Sequence, residues 1–291
     1  MSRFAFVALF LIACIRLATA QGTYTQIDYP GATETYGNGI DAAGDVVGSY
    51  RTGATGTSLH GFLLSAGAYT SIDYAGAAQT VLTGINDAGQ IVGYSEYPFR
   101  GFVYDTSTQT FTDLSFPPGT DIYPSGINND GSIAGYVSRA PYEDTYTGFE
   151  LAASGRDLQI VPPGSRAYTI VTGIDADGGV VGYFSTGYAN YNFTFTNGIY
   201  RKLSIPGTTP SLYGVNPQGT VMVGTYSYSE NKWMGFLFQN GVLKGLQPAG
   251  AEYTSAQGIN SAGVVVGYFE DANLKDHGFT WTPDAATSQK K

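Results

Sequence analysis

The chain has 291 residues, with 40 Gly, 23 Tyr and 16 Phe, only 13% charged residues and a formal net charge of −9. Acidity without a basic patch argues against nucleic acid and anionic membrane surfaces as partners. Much glycine with many aromatic and β-branched residues argues against long helices and predicts short strands joined by turns.

The first element, MSRFAFVALFLIACIRLATAQG, reads as a secretory signal peptide over residues 1–20. Arg3 is the positive flank, Phe4 to Ile15 the apolar stretch, and Ala18-Thr19-Ala20 the cleavage site. The apolar stretch is too short for an ordinary span, so no membrane insertion is expected after cleavage. Leu11-Ile12-Ala13-Cys14 offers a minor alternative, lipid anchoring through Cys14. Cleavage after Ala20 leaves no cysteine, hence no disulfide or thiol chemistry. It also removes Arg3 and Arg16, taking the net charge from −9 to near −11. The expected location is secreted, periplasmic or at the cell surface.

A repeat follows. Gly-Ile/Val-Asn/Asp starts at Gly39, Gly84, Gly126, Gly173, Gly214 and Gly258, in steps of 41 to 47 residues. Val-Val-Gly-Tyr-like and Gly-Phe segments come next, then a strand such as YTQIDY (24–29) or YTSIDY (69–74). Four strand-length segments per 40–45 residues is the size of a propeller blade. The last repeat lacks its fourth strand, while a spare one, YTQIDY, precedes the first. Ring closure requires that offset, whereas an open solenoid would need caps at both ends. The expectation is an all-β, six-bladed β-propeller over 21–283 with four antiparallel strands per blade. The N-terminal strand closes the last blade, and 284–291 form a flexible tail.

GINDAGQIVGY (84–94) followed by Gly-Phe, with the triplets His60-Gly61-Phe62 and His277-Gly278-Phe279, resembles the HAF-repeat family of extracellular bacterial proteins. The family triplet has Ala in the middle where this chain has Gly, and only two copies keep the His. The resemblance covers nearly the whole chain after residue 23. It implies export and a repeat architecture but no particular reaction.

Three constellations invite a chemical reading. Asp175, Asp177 and Gly178 in GIDADGGVVGY have the spacing of a calcium loop. The other copies place Asp41, Asn86, Asn128, Asn216 and Asn260 at the first position and no common chemistry at the second. An acceptor followed three residues later by Gly is a turn signature, so no metal is expected. His60 and His277 share a slot that elsewhere holds Arg100, Thr147, Tyr191 or Met234, which favours a structural role. Glu34 and Asp121 share a column at the expected channel entrance, where an acid pair would suit a polysaccharide hydrolase or lyase. Without a nucleophile motif, no catalytic residue or cofactor is assigned.

Variation concentrates in the connections between second and third strands. There Tyr97, Phe99, Tyr142, Tyr146, Tyr188, Tyr191, Tyr228 and Trp233 are the candidate binding residues. Aromatics offer flat, amphipathic area at little entropic cost, which suits a glycan or peptide ligand. The leading expectation is a monomeric, non-catalytic binding or scaffold module. Tyr94, Tyr136, Tyr183 and Tyr268, after the second-strand glycine, are expected to fill space between blades. Asn38, Thr83, Ser125, Thr172, Tyr213 and Gln257 are expected to line a polar channel.

Overall fold

The computed structural model describes residues 19–53, 58–139, 142–166, 168–205, 208–229 and 232–284. Among them there is no helix, and the fold is an all-β propeller. A first strand, β1 (Gly22–Ile27), precedes a sheet of β2 (Glu34–Ile40), β3 (Val46–Arg51), β4 (His60–Ser65) and β5 (Ala68–Ile72). The second sheet holds β6 (Gln79–Ile85), β7 (Gln90–Glu96), β8 (Arg100–Asp105) and β9 (Thr110–Asp113). The third holds β10 (Thr120–Ile127), β11 (Ile133–Arg139), β12 (Tyr142–Leu151) and β13 (Asp157–Ile160). The fourth holds β14 (Thr169–Ile174), β15 (Val180–Ser185), β16 (Asn190–Thr196) and β17 (Ile199–Leu203). Then come β18 (Thr208–Val215), β19 (Val221–Ser229), β20 (Lys232–Gln239) and β21 (Val242–Leu246). The last are β22 (Tyr253–Ile259), β23 (Val265–Glu270) and β24 (Asp276–Pro283), and these seven join β1 in an eight-stranded sheet. Its two halves meet through a single parallel pair, Trp233 with Tyr253.

Each first-to-second-strand hairpin is set by its Asn or Asp. Asp175 Oδ1 accepts from the Asp177 and Gly179 amides at 3.0 and 2.7 Å, and Gly178 takes φ +80°. This closes a turn with a glycine in the left-handed region. In three of the four Asn copies the amide also clasps the next repeat, whereas that of Asn216 turns back to Gln218 and Thr220 of its own hairpin. Asn86 donates to the Asn128 carbonyl at 3.0 Å, Asn128 to that of Asp175 at 3.1 Å, and Asn260 to that of Asp41 at 2.8 Å. Aspartate lacks that donor, and burial raises the Asp175 carboxyl. Asp175→Asn is therefore expected to stabilise by about 0.5–1 kcal/mol. Asn128→Ala, which loses a cap and a clasp, is expected to destabilise by about 1–2 kcal/mol. Urea denaturation at pH 7 checks both.

The repeated glycines of the inner strands answer a demand of close approach. A Cβ on Gly39 would lie 2.8 Å from the Gly84 Cα, and one on Gly84 3.1 Å from that of Gly126. The contacts continue from Gly126 to Gly173, to Gly214, to Gly258 and back to Gly39, at 3.8, 3.3, 3.3 and 3.6 Å. These six glycines form a closed annulus around the axis, where side chains would hold the inner strands apart.

The Gly-Phe phenylalanines Phe62, Phe102, Phe149, Phe193, Phe236 and Phe279 are all buried. They anchor the apolar clusters that fill the space between neighbouring arrays, as Phe102 does with Val47, Ile72, Leu82 and Ile91. The circle is completed by β1, which pairs antiparallel with β24 from Gly22–Pro283 to Ile27–Gly278. Residues 1–18, including Cys14, and the tail 285–291 lie outside the described residues. Thr19 pairs with Gly245 beside β21, and the Ala20 amide donates to the Gly245 carbonyl at 2.9 Å.

Candidate functional site

An axial channel runs between the inner strands. Its collar is the predicted polar set, Asn38, Thr83, Ser125, Thr172, Tyr213 and Gln257. On the turn side the channel opens into a cavity of about 300 Å³ edged by the hairpins. On the opposite side, where the longer connections meet, it opens into a mouth of about 240 Å³ walled by Tyr94, Tyr123, Tyr136 and Tyr213.

Strand alternation explains why tyrosines gather there. In β2, Glu34, Tyr36 and Asn38 are half-exposed while Thr35 and Gly37 are buried, so alternate residues face the channel. Tyr123 and Tyr136 are cross-strand partners whose rings stack at 4.9 Å. Tyr94 meets Tyr123 edge-on at 5.1 Å from the neighbouring sheet, and Tyr36 meets Tyr268 at 5.0 Å. Tyr253 lies 5.9 Å from Tyr268, and Tyr168 lies 6.1 Å from Tyr183. The second-strand tyrosines Tyr94 and Tyr268 thus do fill space between sheets, and Tyr94 and Tyr136 also wall the channel mouth. Burial pushes the Tyr94 phenol up to about 12 and raises those of Tyr123, Tyr136 and Tyr213 further. All four are neutral at physiological pH.

The candidate loop aromatics divide. Tyr188 and Tyr97 are 95% and 71% exposed, and Tyr228 is also exposed. Phe99, Tyr146, Tyr191 and Trp233 are half-buried. Tyr97 leads inward, to Phe99 at 5.7 Å and from Phe99 to Tyr123 at 6.2 Å. Tyr146 meets Tyr136 edge-on at 5.4 Å. One train of rings therefore joins an exposed loop to the channel wall. Tyr191 is instead capped by Lys202 Nζ, 3.1 Å from its ring centroid. The Tyr142 side chain lies outside the described residues.

The carboxylates group differently from the expectation. Glu34 and Asp121 stand on β2 and β10, with the whole β6–β9 sheet between them. Glu34 instead forms an ion pair with Arg51 at 2.9 Å. The Tyr36 hydroxyl lies 2.8 Å from Glu34 Oε2 and 2.9 Å from Asp276 Oδ2. A phenol carries one hydrogen, so one of the two contacts needs a hydrogen from the carboxyl side. Burial, and then the charge of Glu34, raise the Asp276 carboxyl, against the Tyr36 hydrogen bond that lowers it, so protonation of Asp276 would supply that hydrogen. A carboxyl raised in the folded state favours folding fully below its unfolded value, and that contribution is lost as pH rises through the folded one. Asp276→Asn keeps the hydrogen and removes the loss. It is expected to raise Tm by about 1–3 °C at pH 8 and to leave it nearly unchanged at pH 4, as thermal melts will read. Half-buried Asp271, lowered to about 2 by hydrogen bonds from the Lys275 amide and Asn273, has the opposite sign. Its contribution is present above the usual carboxylate range and lost as pH falls toward 2.

The histidines take up aspartates. His60 Nδ1 lies 3.1 Å from Asp73. His277 Nδ1 lies 2.9 Å from Asp28, and its Nε2 3.6 Å from Asp271. In the same slot Arg100 Nε lies 3.5 Å from Asp113. In these three copies the slot before Gly-Phe ties a third strand to the acid at the end of its fourth, and Asp28 directly follows the strand that closes the ring. Among the described residues no cluster of three His, Cys, Asp or Glu could hold a metal ion.

No known family profile matches the chain, and no curated protein matches its sequence. Solved structures do match. TolB from Acinetobacter baumannii aligns with TM-score 0.56 and 12% identity over 77% of this chain, which spans 60% of that protein. Virginiamycin B lyase from Staphylococcus aureus aligns with TM-score 0.51 and 12% identity, over 90% of this chain and 99% of that one. XC5397 from Xanthomonas campestris, described as a gluconolactonase, aligns with TM-score 0.51 and 14% identity, over 91% and 97%. At such identities the likeness carries the fold alone.

Proposed function

We propose that the chain is an exported, non-catalytic binding module of the HAF-repeat kind, a monomer that takes a glycan or peptide on its tyrosine-rich face. The observation that carries this reading is the train of rings from Tyr97 through Phe99 and Tyr123 to Tyr136, which ends at a polar-floored channel mouth. Binding residues on loops held by a rigid scaffold are a recurrent arrangement. Tyr97 also holds a left-handed backbone, φ +52°, at a cost of about 1–2 kcal/mol, while leaving its ring in solvent. The propeller is read as six blades, the eight-stranded sheet counting as two. The single Trp233–Tyr253 pair between its halves and the annulus of six glycines support that count. Export rests on the leader, residues 1–20.

The test is a glycan and peptide array probed with the purified protein. Binding to one class, lost in Tyr97→Ala and Tyr188→Ala, is the expected result. An array blank for both classes, or binding indifferent to both substitutions, removes the reading. A second reading, a polysaccharide hydrolase or lyase, is favoured only by the Tyr36 hydroxyl standing between the Glu34 and Asp276 carboxyls. Turnover of a labelled polysaccharide that survives Glu34→Gln would take Glu34 out of that mechanism.

A further inference from the structure

We infer that the channel mouth itself is a site for one neutral sugar ring, the terminal unit of an uncharged glycan. The inference rests on the binding reading above and names its ligand class and subsite.

Size comes first. The mouth holds about 240 Å³, below the roughly 300–1,000 Å³ of pockets for drug-sized ligands, so it suits a single small ring. Charge comes second. No side chain lining the mouth is charged, and burial keeps its phenols neutral. The C-terminal carboxylate of a peptide or a uronate would bring a negative charge without a partner, against a protein of net charge −9 with Glu34 and Asp121 in the entrance column.

The division of labour around the collar comes third. Thr83 and Ser125 spend their hydroxyl hydrogens, and Asn38 one of its two amide hydrogens, on the adjoining sheet. They donate to the carbonyls of Leu82 at 2.8 Å, Pro124 at 2.8 Å and Val171 at 2.6 Å. The opposite arc does not repeat this. Thr172 makes only a long contact of 3.4 Å to the Val181 carbonyl. Gln257 donates one amide hydrogen to Ser255 at 2.7 Å. Its other amide hydrogen and its carbonyl oxygen have no partner among the described residues. Tyr213 stands between these two in the collar. The hydrogen-bonding arc, Thr172, Tyr213 and Gln257, belongs to the fourth, fifth and sixth repeats. The aromatic wall, Tyr94, Tyr123 and Tyr136, belongs to the second and third. A pyranose has this duality, an apolar face for a ring to cover and a rim of neutral hydroxyls that both donate and accept.

The experiment titrates methyl glycosides of neutral hexoses, with methyl glucuronide as the charged counterpart, into the purified protein. Saturation-transfer NMR and calorimetry give the readout. At least one neutral glycoside is expected to bind, and the glucuronide is not. Gln257→Ala and Tyr213→Phe should each weaken binding about tenfold while melting at the wild-type temperature. Val242→Ala, an exposed position on the outer strand β21, should leave the monosaccharide affinity unchanged. Preference for the glucuronide, or full affinity in both collar variants, overturns the inference. If no monosaccharide binds while the array is positive through the loops, the subsite fails and the binding face stands. A blank array removes both.

Discussion

Deleting residues 21–28 is expected to abolish the native fold. Those residues supply β1, the outer strand that completes the array of β22, β23 and β24. Without it β24 keeps an unpaired edge from Gly278 to Pro283, a template for aggregation. Ile27 is buried between β24 and the first sheet, in one cluster with Ile40, Val46, Phe62 and Val266. Tyr24 covers Phe279 edge-on at 5.7 Å, and Asp28 pairs with His277. Burying Ile27 alone contributes about 1.5–3 kcal/mol, and the tyrosine contact and strand pairing add to it. Together they rival the whole stability of a domain, about 5–15 kcal/mol. Near-ultraviolet circular dichroism and a thermal melt read the outcome, with loss of the cooperative transition expected. A permuted chain carrying residues 21–33 after residue 284 should restore it, because the closing strand then reaches β24 from the other end. Wild-type melting of the deletion protein would mean that the ring does not depend on this strand.

Gly182→Ala is expected to be nearly as damaging. Gly182 sits in the middle of β15, opposite Val171 and beside the register shift between Val171 and Gly173. An added Cβ would collide with the Ile170 carbonyl oxygen and lie 3.0 Å from the Val171 Cα. Both are backbone atoms of the paired strand β14, whose inner side meets the glycine annulus, so neither can move aside. Overpacking of this kind costs about 3 kcal/mol or more when backbone must shift. Gly187→Ala is the control. Gly187 adopts φ +87° in an open loop where a Cβ would meet nothing within 4 Å. Its cost is the strain of a left-handed alanine, about 1 kcal/mol. Urea midpoints for the two variants should differ accordingly, and equal midpoints would refute the steric account.

The repeat, its strands and the closing role of YTQIDY were legible because they are local. Turn residues and alternating apolar positions recur at a fixed spacing whatever the tertiary context. All six fourth strands form, including the weakly patterned Val242–Leu246. The tyrosine-lined mouth was hidden by reading one column at a time. Tyr213 stands one residue before the inner-strand glycine, Tyr36 and Tyr123 three before, Tyr168 and Tyr253 five before. Odd offsets share one side of a strand, so the fold gathers what the columns scatter. The histidine partners had a readable signal: both copies with His draw on a fourth strand reading Ile-Asp-Tyr, provided that Asp28 is assigned to the last repeat. Glu34 and Asp276 share Tyr36 across a chain separation visible only after the ring is closed.

The channel mouth is the ligand site we propose. A crystal structure with the glycan that binds most strongly on the array tests that claim most directly. One terminal sugar ring is expected between the Tyr94–Tyr123–Tyr136 wall and Gln257, with the remaining units passing out over Tyr97. Sugar density among the hairpins at the opposite end of the channel, or on the outer strands, would contradict it.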